Sequence, residues 1–223
     1  MLKSVALPDI DLIIFDCDGV VVDSEVLACT CLADTLRLHG LDLRIEEVFE
    51  LFLGRSFSVV DEHFQGVTGK PLPGRFREDL RDRLTQSFIA SLTAMPHVVD
   101  VLKRLDRPYC LASSSDPDRI RLTLAITGLD RFFADRVYDA SMVAHGKPAP
   151  DLFLLIAGNM GKAAPRALVV EDSVSGIVAA KAAGMKVWGF TGGSHCAGRD
   201  TARRLLAAGA DRVFDSMAEF MDV

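Results

Sequence analysis

No segment of the 223-residue sequence is apolar for long enough to span a bilayer, so no transmembrane helix is expected. The first residues lack a basic leader followed by an apolar run and a small-residue cleavage site, so no secretory signal is expected either. Cysteine is scarce: Cys17, Cys29, Cys31, Cys110 and Cys196 are odd in number and irregular in spacing, which argues against a disulfide framework. Cys29 and Cys31 stand two apart rather than three, and no further Cys or His pair completes a zinc pattern. Reduced thiols in a cytoplasm are the reading. Repeats, low-complexity tracts and flexible linkers are missing as well. Positive charge is not in excess. The formal net charge of −6 argues against nucleic acid or an anionic membrane as the main partner. It leaves room for a small anionic partner, because a metal ion resets the local charge of a site.

What is present is globular. The hydrophobic fraction is 49% and the charged fraction 25%, and the length suits one good core, or one core with a smaller insert. Leu12-Ile13-Ile14-Phe15 reads as a strand buried on both faces and ends in Asp16. The stretch Asp16-Cys17-Asp18-Gly19-Val20-Val21-Val22-Asp23 follows, with Gly19 permitting a sharp bend. From Ser24 to about His39 the apolar spacing is helical, and further helices are predicted at about 45–53, 57–67 and 75–92. No strand is predicted there, so residues 24–93 read as an all-helical insert. After Pro96 helices and strands alternate. Strands are expected at about 109–113, 136–139, 167–171, 186–190 and 212–214, with helices at about 98–106, 117–127, 150–160, 174–183 and 198–208 between them. Such alternation predicts an α/β fold: a Rossmann-like parallel sheet covered on both faces, built from residues 1–23 and 94–223.

In sheets of this kind the chemistry sits beyond the carboxyl ends of the strands. Asp16/Asp18, Ser113–Ser115 and Glu171/Asp172 directly follow predicted strands, and Lys147 lies in the loop after the 136–139 strand. Carboxylates as close as Asp16 and Asp18 repel unless a cation or a proton lies between them. With Glu171 and Asp172 added, an oxygen-ligand site for a hard divalent cation follows, with Mg²⁺ the natural occupant beside a phosphate. Asp16 is also placed to act as a nucleophile and form an aspartyl-phosphate. Ser113-Ser114-Ser115 precedes Asp116 and Pro117, a good N-cap and first helical residue, and a helix N-terminus behind hydroxyls suits a phosphate. Taken alone, Lys147 in Gly146-Lys147-Pro148-Ala149-Pro150 would read as a solvated lysine. Its place after the third core strand makes it a holder of phosphoryl oxygens instead. Asp172 or Ser173 caps the following helix, which does not need Glu171 as well.

These motifs, Asp16-Cys17-Asp18-Gly19-Val20, Ser113, Gly146-Lys147-Pro148 and Glu171-Asp172-Ser173 with Gly176, resemble those of the haloacid dehalogenase-like hydrolase superfamily, in the same order and on the same elements. The chain looks most like the β-phosphoglucomutase-like branch, whose helical cap is inserted after the first motif. It is similar in Asp23-Ser24-Glu25 and in the cap to sugar-phosphate phosphatases of that branch, including those acting on 6-phosphogluconate. The resemblance implies that Asp16 attacks phosphorus, that Asp18 protonates the leaving oxygen and then activates water, and that Ser113 and Lys147 hold the phosphoryl oxygens. It further implies Mg²⁺ on Asp16, on Asp18 through its backbone carbonyl and on Asp172, with Glu171 in direct or water-mediated reach. Ser114 and Arg55, which follows Gly54 in a break between cap helices, are assigned to substrate binding. The partner is then a small phosphorylated metabolite, with no nucleic acid or membrane, and the chain a monomer or weak homodimer.

Three rivals are weighed against this reading. Dehalogenases of the family lack the second aspartate of the first motif, whereas Asp18 supplies the general acid that an alkoxide leaving group needs. β-Phosphoglucomutases carry basic groups in the cap at positions occupied here by Ala28, Leu53 and Phe57, which argues for hydrolysis over phosphoryl return to the sugar. A non-catalytic binding protein on the same fold would lack a catalytic residue, and none is missing. His195, in Gly192-Gly193-Ser194-His195-Cys196, reads as a solvated loop histidine. Cys17 reads as core by strand alternation.

Overall fold

The computed structural model describes residues 9–55 and 57–220. The chain folds into two compact units, Met1–Asp23 with Thr93–Val223, and Ser24–Leu92. The sequence-based ranges of the first unit also run over 1–8 and 221–223, which lie outside the described residues. The division falls after Leu92, one residue before the sequence-based bound. Thr93 belongs with the sheet unit, where its carbonyl accepts the Asp23 N–H at 3.0 Å and Val22 bridges Ala94.

In chain order the described elements begin with β1 (Leu12–Asp16), followed by α1 (Glu25–Leu38), α2 (Ile45–Phe52), α3 (Phe57–Thr68) and α4 (Phe76–Ser91). Then come α5 (Val98–Arg104), β2 (Tyr109–Ser113), α6 (Pro117–Thr127), α7 (Asp130–Phe133), β3 (Val137–Asp139), α8 (Asp151–Asn159) and β4 (Ala167–Glu171). The chain continues through α9 (Val174–Ala182), β5 (Lys186–Phe190), α10 (Thr201–Ala207), β6 (Arg212–Phe214) and α11 (Met217–Phe220). Strands β2, β4, β5 and β6 fall where the apolar runs put them. The short helices α7 and α11 carry no sequence signal because four residues are too few to show a 3.6-residue period. Helix α10 starts three positions later than expected: Gly198 takes φ +69° and Asp200 is the flanking residue.

The six strands are parallel, in the order β3-β2-β1-β4-β5-β6. The chain winds outward one way from β1 and then returns to build the other half from β4. The order therefore reverses between β1 and β4, where such sheets bind ligands beyond their strand ends. Strand alternation sorts the residues between two layers. Leu12, Ile14, Cys110, Ala112, Ala167, Val169 and Val187 pack with Phe153 and Ile156 of α8, Ile177 and Ala180 of α9 and Leu205 of α10. Phe15, Tyr109 and Trp188 point the other way. Phe220 of α11 closes that layer, its ring 6.0 Å from Phe15 and 5.4 Å from Trp188, while Tyr109 meets Phe133 at 5.8 Å.

The second unit is helical, with its own apolar core of Leu32, Leu36, Val48, Phe52, Phe64 and Phe76 among others. Leu53 and Phe57 join that core; the Phe57 ring lies 6.1 Å from Phe76 and beneath the Arg77 guanidinium. Two of the three positions weighed against a mutase, Leu53 and Phe57, thus serve packing.

Helix α11 is a single turn, yet Phe220 is fully buried. Phe220→Ala is expected to destabilise the protein by about 3–5 kcal/mol, read from denaturant midpoints, whereas a loss under about 1 kcal/mol would mean that α11 does not seal the sheet.

Candidate active site

The sheet decides which polar groups meet. Asp16 shares its face with Leu12 and Ile14, and Glu171 shares its face with Ala167 and Val169, so both acids point toward the α8–α9 layer. The pairing of Phe15 with Val170 puts Asp16 and Glu171 at the next step of adjacent strands, at the point where the strand order reverses. Asp16 pairs with Ala112 on its other side.

Lys147, from the loop after β3, fills the space between these acids. Its ammonium donates to Asp16 Oδ1 at 2.5 Å, to Glu171 Oε1 at 2.7 Å and to the Ala112 carbonyl at 3.2 Å. Its side chain is 3% exposed, against 10% for Asp16 and 1% for Glu171, so the triad is dry. Burial works to lower the Lys147 pKa, but the charges of Asp16 and Glu171 outweigh it and hold the ammonium above its usual range. Burial drives Asp16 well above the usual carboxylate range; Lys147 opposes the rise, and the charges of Glu171 and Asp172 add to it. Glu171 is fixed from behind as well, its Oε2 accepting the N–H and O–H of Ser173, both at 2.8 Å. Ser173 also caps α9, its Oγ accepting the Gly176 N–H at 3.0 Å. A side chain on Gly176 would run into the Glu171 carboxylate, which is why glycine stands there.

Asp18 is held by Ser115, which the sequence reading named only within the Ser113–Ser115 cluster, and by Arg119, which it did not single out. Ser115 Oγ donates to Oδ2 at 2.7 Å, and Arg119 Nη2 to Oδ1 at 2.8 Å. Both belong to the β2–α6 junction, where Asp116 caps the helix by accepting the Arg119 N–H at 3.0 Å and Pro117 takes its first turn. The signal for Arg119 is its place in the first turn of a helix that starts at a site strand. Ser113 is buried, and its Oγ accepts the Ser115 N–H at 3.0 Å. Ser114 is exposed at the same junction.

The reading of His195 as a solvated loop histidine is overturned. His195 is 3% exposed, with Nε2 3.1 Å from Asp172 Oδ2. Gly193 and the turn at Gly19 leave room for the ring beside the strand ends. Cys17 lies buried between the acids; burial and the charges of Asp18 and Asp16 push its thiol well above the usual range, so it is inert as a nucleophile.

Among the described residues no three Asp, Glu, His or Cys side chains form a ready metal cage. Mg²⁺ needs no such cage: it takes one or two carboxylates and completes its shell with water and phosphate oxygens. Asp16 and Asp172 fit that demand. They are close enough for Asp172 to raise the Asp16 pKa. Gly19, at φ +78°, makes room for the Asp172 carboxylate itself, since a Cβ there would collide with Asp172 Oδ2. The Glu171 oxygens, by contrast, are engaged by Lys147 and Ser173.

In the helical unit Arg55 is exposed after the positive-φ Gly54 and lines a groove with Leu51, Phe52, Glu62 and His63. No described helix is long and apolar enough to cross a membrane.

A family model described as haloacid dehalogenase-like hydrolase matches residues 10–184. The chain is 28% identical over 192 residues to the 6-phosphogluconate phosphatase of Escherichia coli (strain K12), covering 83% of this chain and 85% of that one. It is 31% identical over 175 residues to the fructose-1-phosphate phosphatase YqaB of the same strain, covering 78% and 92%. The crystal structure of a family hydrolase from Deinococcus radiodurans R1, with bound phosphate and sodium, superposes with a TM-score of 0.76 at 33% identity, covering 95% and 93%.

Gly176→Ala is expected to push Glu171 off Lys147 and Ser173. Phosphate-ester turnover should fall at least about tenfold while the far-UV spectrum is kept; turnover within twofold of wild type would contradict the arrangement.

Proposed function

Because the chain belongs to the haloacid dehalogenase-like hydrolase family, we propose that it is a magnesium-dependent phosphatase of small phosphorylated metabolites, sugar phosphates foremost, working through phosphorylated Asp16. The carrying observation is the Lys147 ammonium, which meets Asp16 and Glu171 in a dry pocket at the end of a fully buried strand. A nucleophile of this kind must be fixed in line with the bond it breaks, and phosphoryl transfer depends on positioning and charge more than on covalent assistance. The sugar-phosphate preference rests on the names of the two curated relatives.

In the first step an Asp16 oxygen attacks phosphorus, the bond from phosphorus to the sugar oxygen breaks, and the leaving oxygen takes a proton from Asp18. In the second, Asp18 takes a proton from water, the water oxygen attacks phosphorus, and the bond from phosphorus to Asp16 breaks to release inorganic phosphate. Lys147 and the Ser113 hydroxyl hold the phosphoryl oxygens, with Ser114 at the rim, and Ser115 and Arg119 keep the Asp18 carboxylate in place. Magnesium would be held by Asp16, the Asp18 backbone carbonyl and Asp172, and when bound it supplies charge neutralisation at the phosphoryl group. Glu171 serves through Lys147. Arg55 is the cation of the helical unit assigned to the polar body of the substrate.

The packing roles of Leu53 and Phe57 support hydrolysis over mutase chemistry, since neither offers a charge for a second phosphate. The test is incubation of sugar phosphates, including β-glucose 1-phosphate with a trace of its bisphosphate, with enzyme and Mg²⁺. Free inorganic phosphate is the expected product, lost with chelator and lost by more than about 10³-fold in Asp16→Asn. Glucose 6-phosphate with little free phosphate would show a mutase, and full turnover in chelator would remove the metal from the scheme.

A further inference from the structure

Asp172 stands apart from the Lys147 triad, and a different loop takes charge of it. That loop follows β5 and runs Thr191-Gly192-Gly193-Ser194-His195-Cys196, with a short 3₁₀ turn over Ser194–Cys196. It is pinned at the surface by Asp23, whose Oδ1 accepts the Ser194 N–H at 3.0 Å and the Ser194 O–H at 2.8 Å. Inside, the His195 ring is shaped in from two sides by glycines. A Cβ on Gly193 would come within 2.6 Å of His195 Cε1, and a Cβ on Gly19 within 2.9 Å of the same atom. A Cβ on Gly19 would also collide with Asp172 Oδ2. The two glycines thus leave a slot that the imidazole fills, with Asp172 at its end. Nε2 is 3.1 Å from Asp172 Oδ2. An ionised carboxylate only accepts hydrogen bonds, so the ring nitrogen facing it is the donor. The Cys196 sulfur, 3.1 Å from the same nitrogen, is the weaker partner.

We propose that His195 is a positioning residue for the metal: it holds one oxygen of Asp172 by its Nε2–H, so that the carboxylate turns its other oxygen to the cation. The proposal rests on the reading of Asp172 as a magnesium ligand. A carboxylate on a strand-to-helix turn swings freely about its side-chain bonds, and ordering it must be repaid each time a cation binds. A buried donor already in place removes that cost, and loss of such outer partners weakens metal sites by about 10–100-fold. His195 touches neither substrate nor phosphoryl group in this scheme, so its loss should appear in metal affinity and not in substrate affinity.

The experiment uses the full chain and Mn²⁺ as a spectroscopic stand-in for Mg²⁺, with the dissociation constant read by electron paramagnetic resonance. His195→Phe keeps a ring in the slot without a donor, His195→Gln returns a donor near the Nε2 position, and His195→Asn ends short of it. Asp172→Asn marks loss of the ligand itself. The expected result is Mn²⁺ binding weakened about tenfold or more in the Phe and Asn variants and restored to within about threefold in the Gln variant. The Mg²⁺ concentration for half-maximal turnover should rise in parallel, while KM for the ester at saturating Mg²⁺ stays within about twofold of wild type. If the Phe variant does not fold, the Gln–Asn difference decides alone. Wild-type protein that binds Mn²⁺ while all His195 variants bind it equally well would overturn the positioning role and leave the metal reading intact. Wild-type protein that binds no Mn²⁺ would overturn both.

Discussion

The buried Lys147 ammonium is the interaction on which the rest of this structure depends. Three carboxylates from two adjacent strands and their turns, Asp16, Glu171 and Asp172, lie close together in a place nearly closed to water, and the charges of Glu171 and Asp172 help to raise the Asp16 pKa. Left to themselves they would repel or take up protons. One ammonium bonded to Asp16 and Glu171 offsets part of that repulsion, and it also selects a geometry, because a point charge with three donors satisfies two carboxylates and the Ala112 carbonyl at once. Removing one partner of such a group leaves a buried charge uncompensated, which costs more than the pair itself contributes. The supports around it follow from this demand: Ser173 behind Glu171, a glycine at 176 where a side chain would displace the carboxylate, and a lysine delivered from a loop rather than a strand.

The sheet makes this convergence possible. Residues 16, 112 and 171 come from far apart in the chain, and parallel pairing with β1 brings them to one edge. Parity then sorts them, so that Asp16 and Glu171 face one layer. The strand order reverses between β1 and β4, so no crossover covers the gap beyond them.

Much of this was legible in the sequence, and for definite reasons. Fully buried parallel strands such as Leu12–Asp16 and Ala167–Glu171 are short apolar runs ended by acids, and few other structures have that pattern. The acids at those ends, with Ser113 and Lys147, could therefore be assembled before any coordinates. Other contacts could not. Ser115 and Arg119 reach Asp18 across about a hundred positions of sequence, and nothing local in a capped helix start says which carboxylate its side chains will meet. His195 looked like a surface histidine because its neighbours are glycine and serine. In fact Gly193, together with Gly19, makes room for the ring. Composition describes solvent preference, whereas burial at this loop is decided by the neighbouring turn at Gly19. Arg55 illustrates the reverse case: its position in a break between α2 and α3 is as the sequence implies, and its assignment to substrate is chemical rather than geometric.

The covalent step at Asp16 is the centre of this reading, and it can be trapped. Enzyme mixed with a phosphate-labelled sugar ester and Mg²⁺ is quenched in acid during steady state, digested, and mapped by mass spectrometry. An acid-stable, base-labile phosphoryl group on the peptide containing Asp16, formed and discharged at rates matching turnover, is the expected result. Phosphate release at the full rate with no label on that peptide would contradict it, and would mean that water attacks the substrate directly.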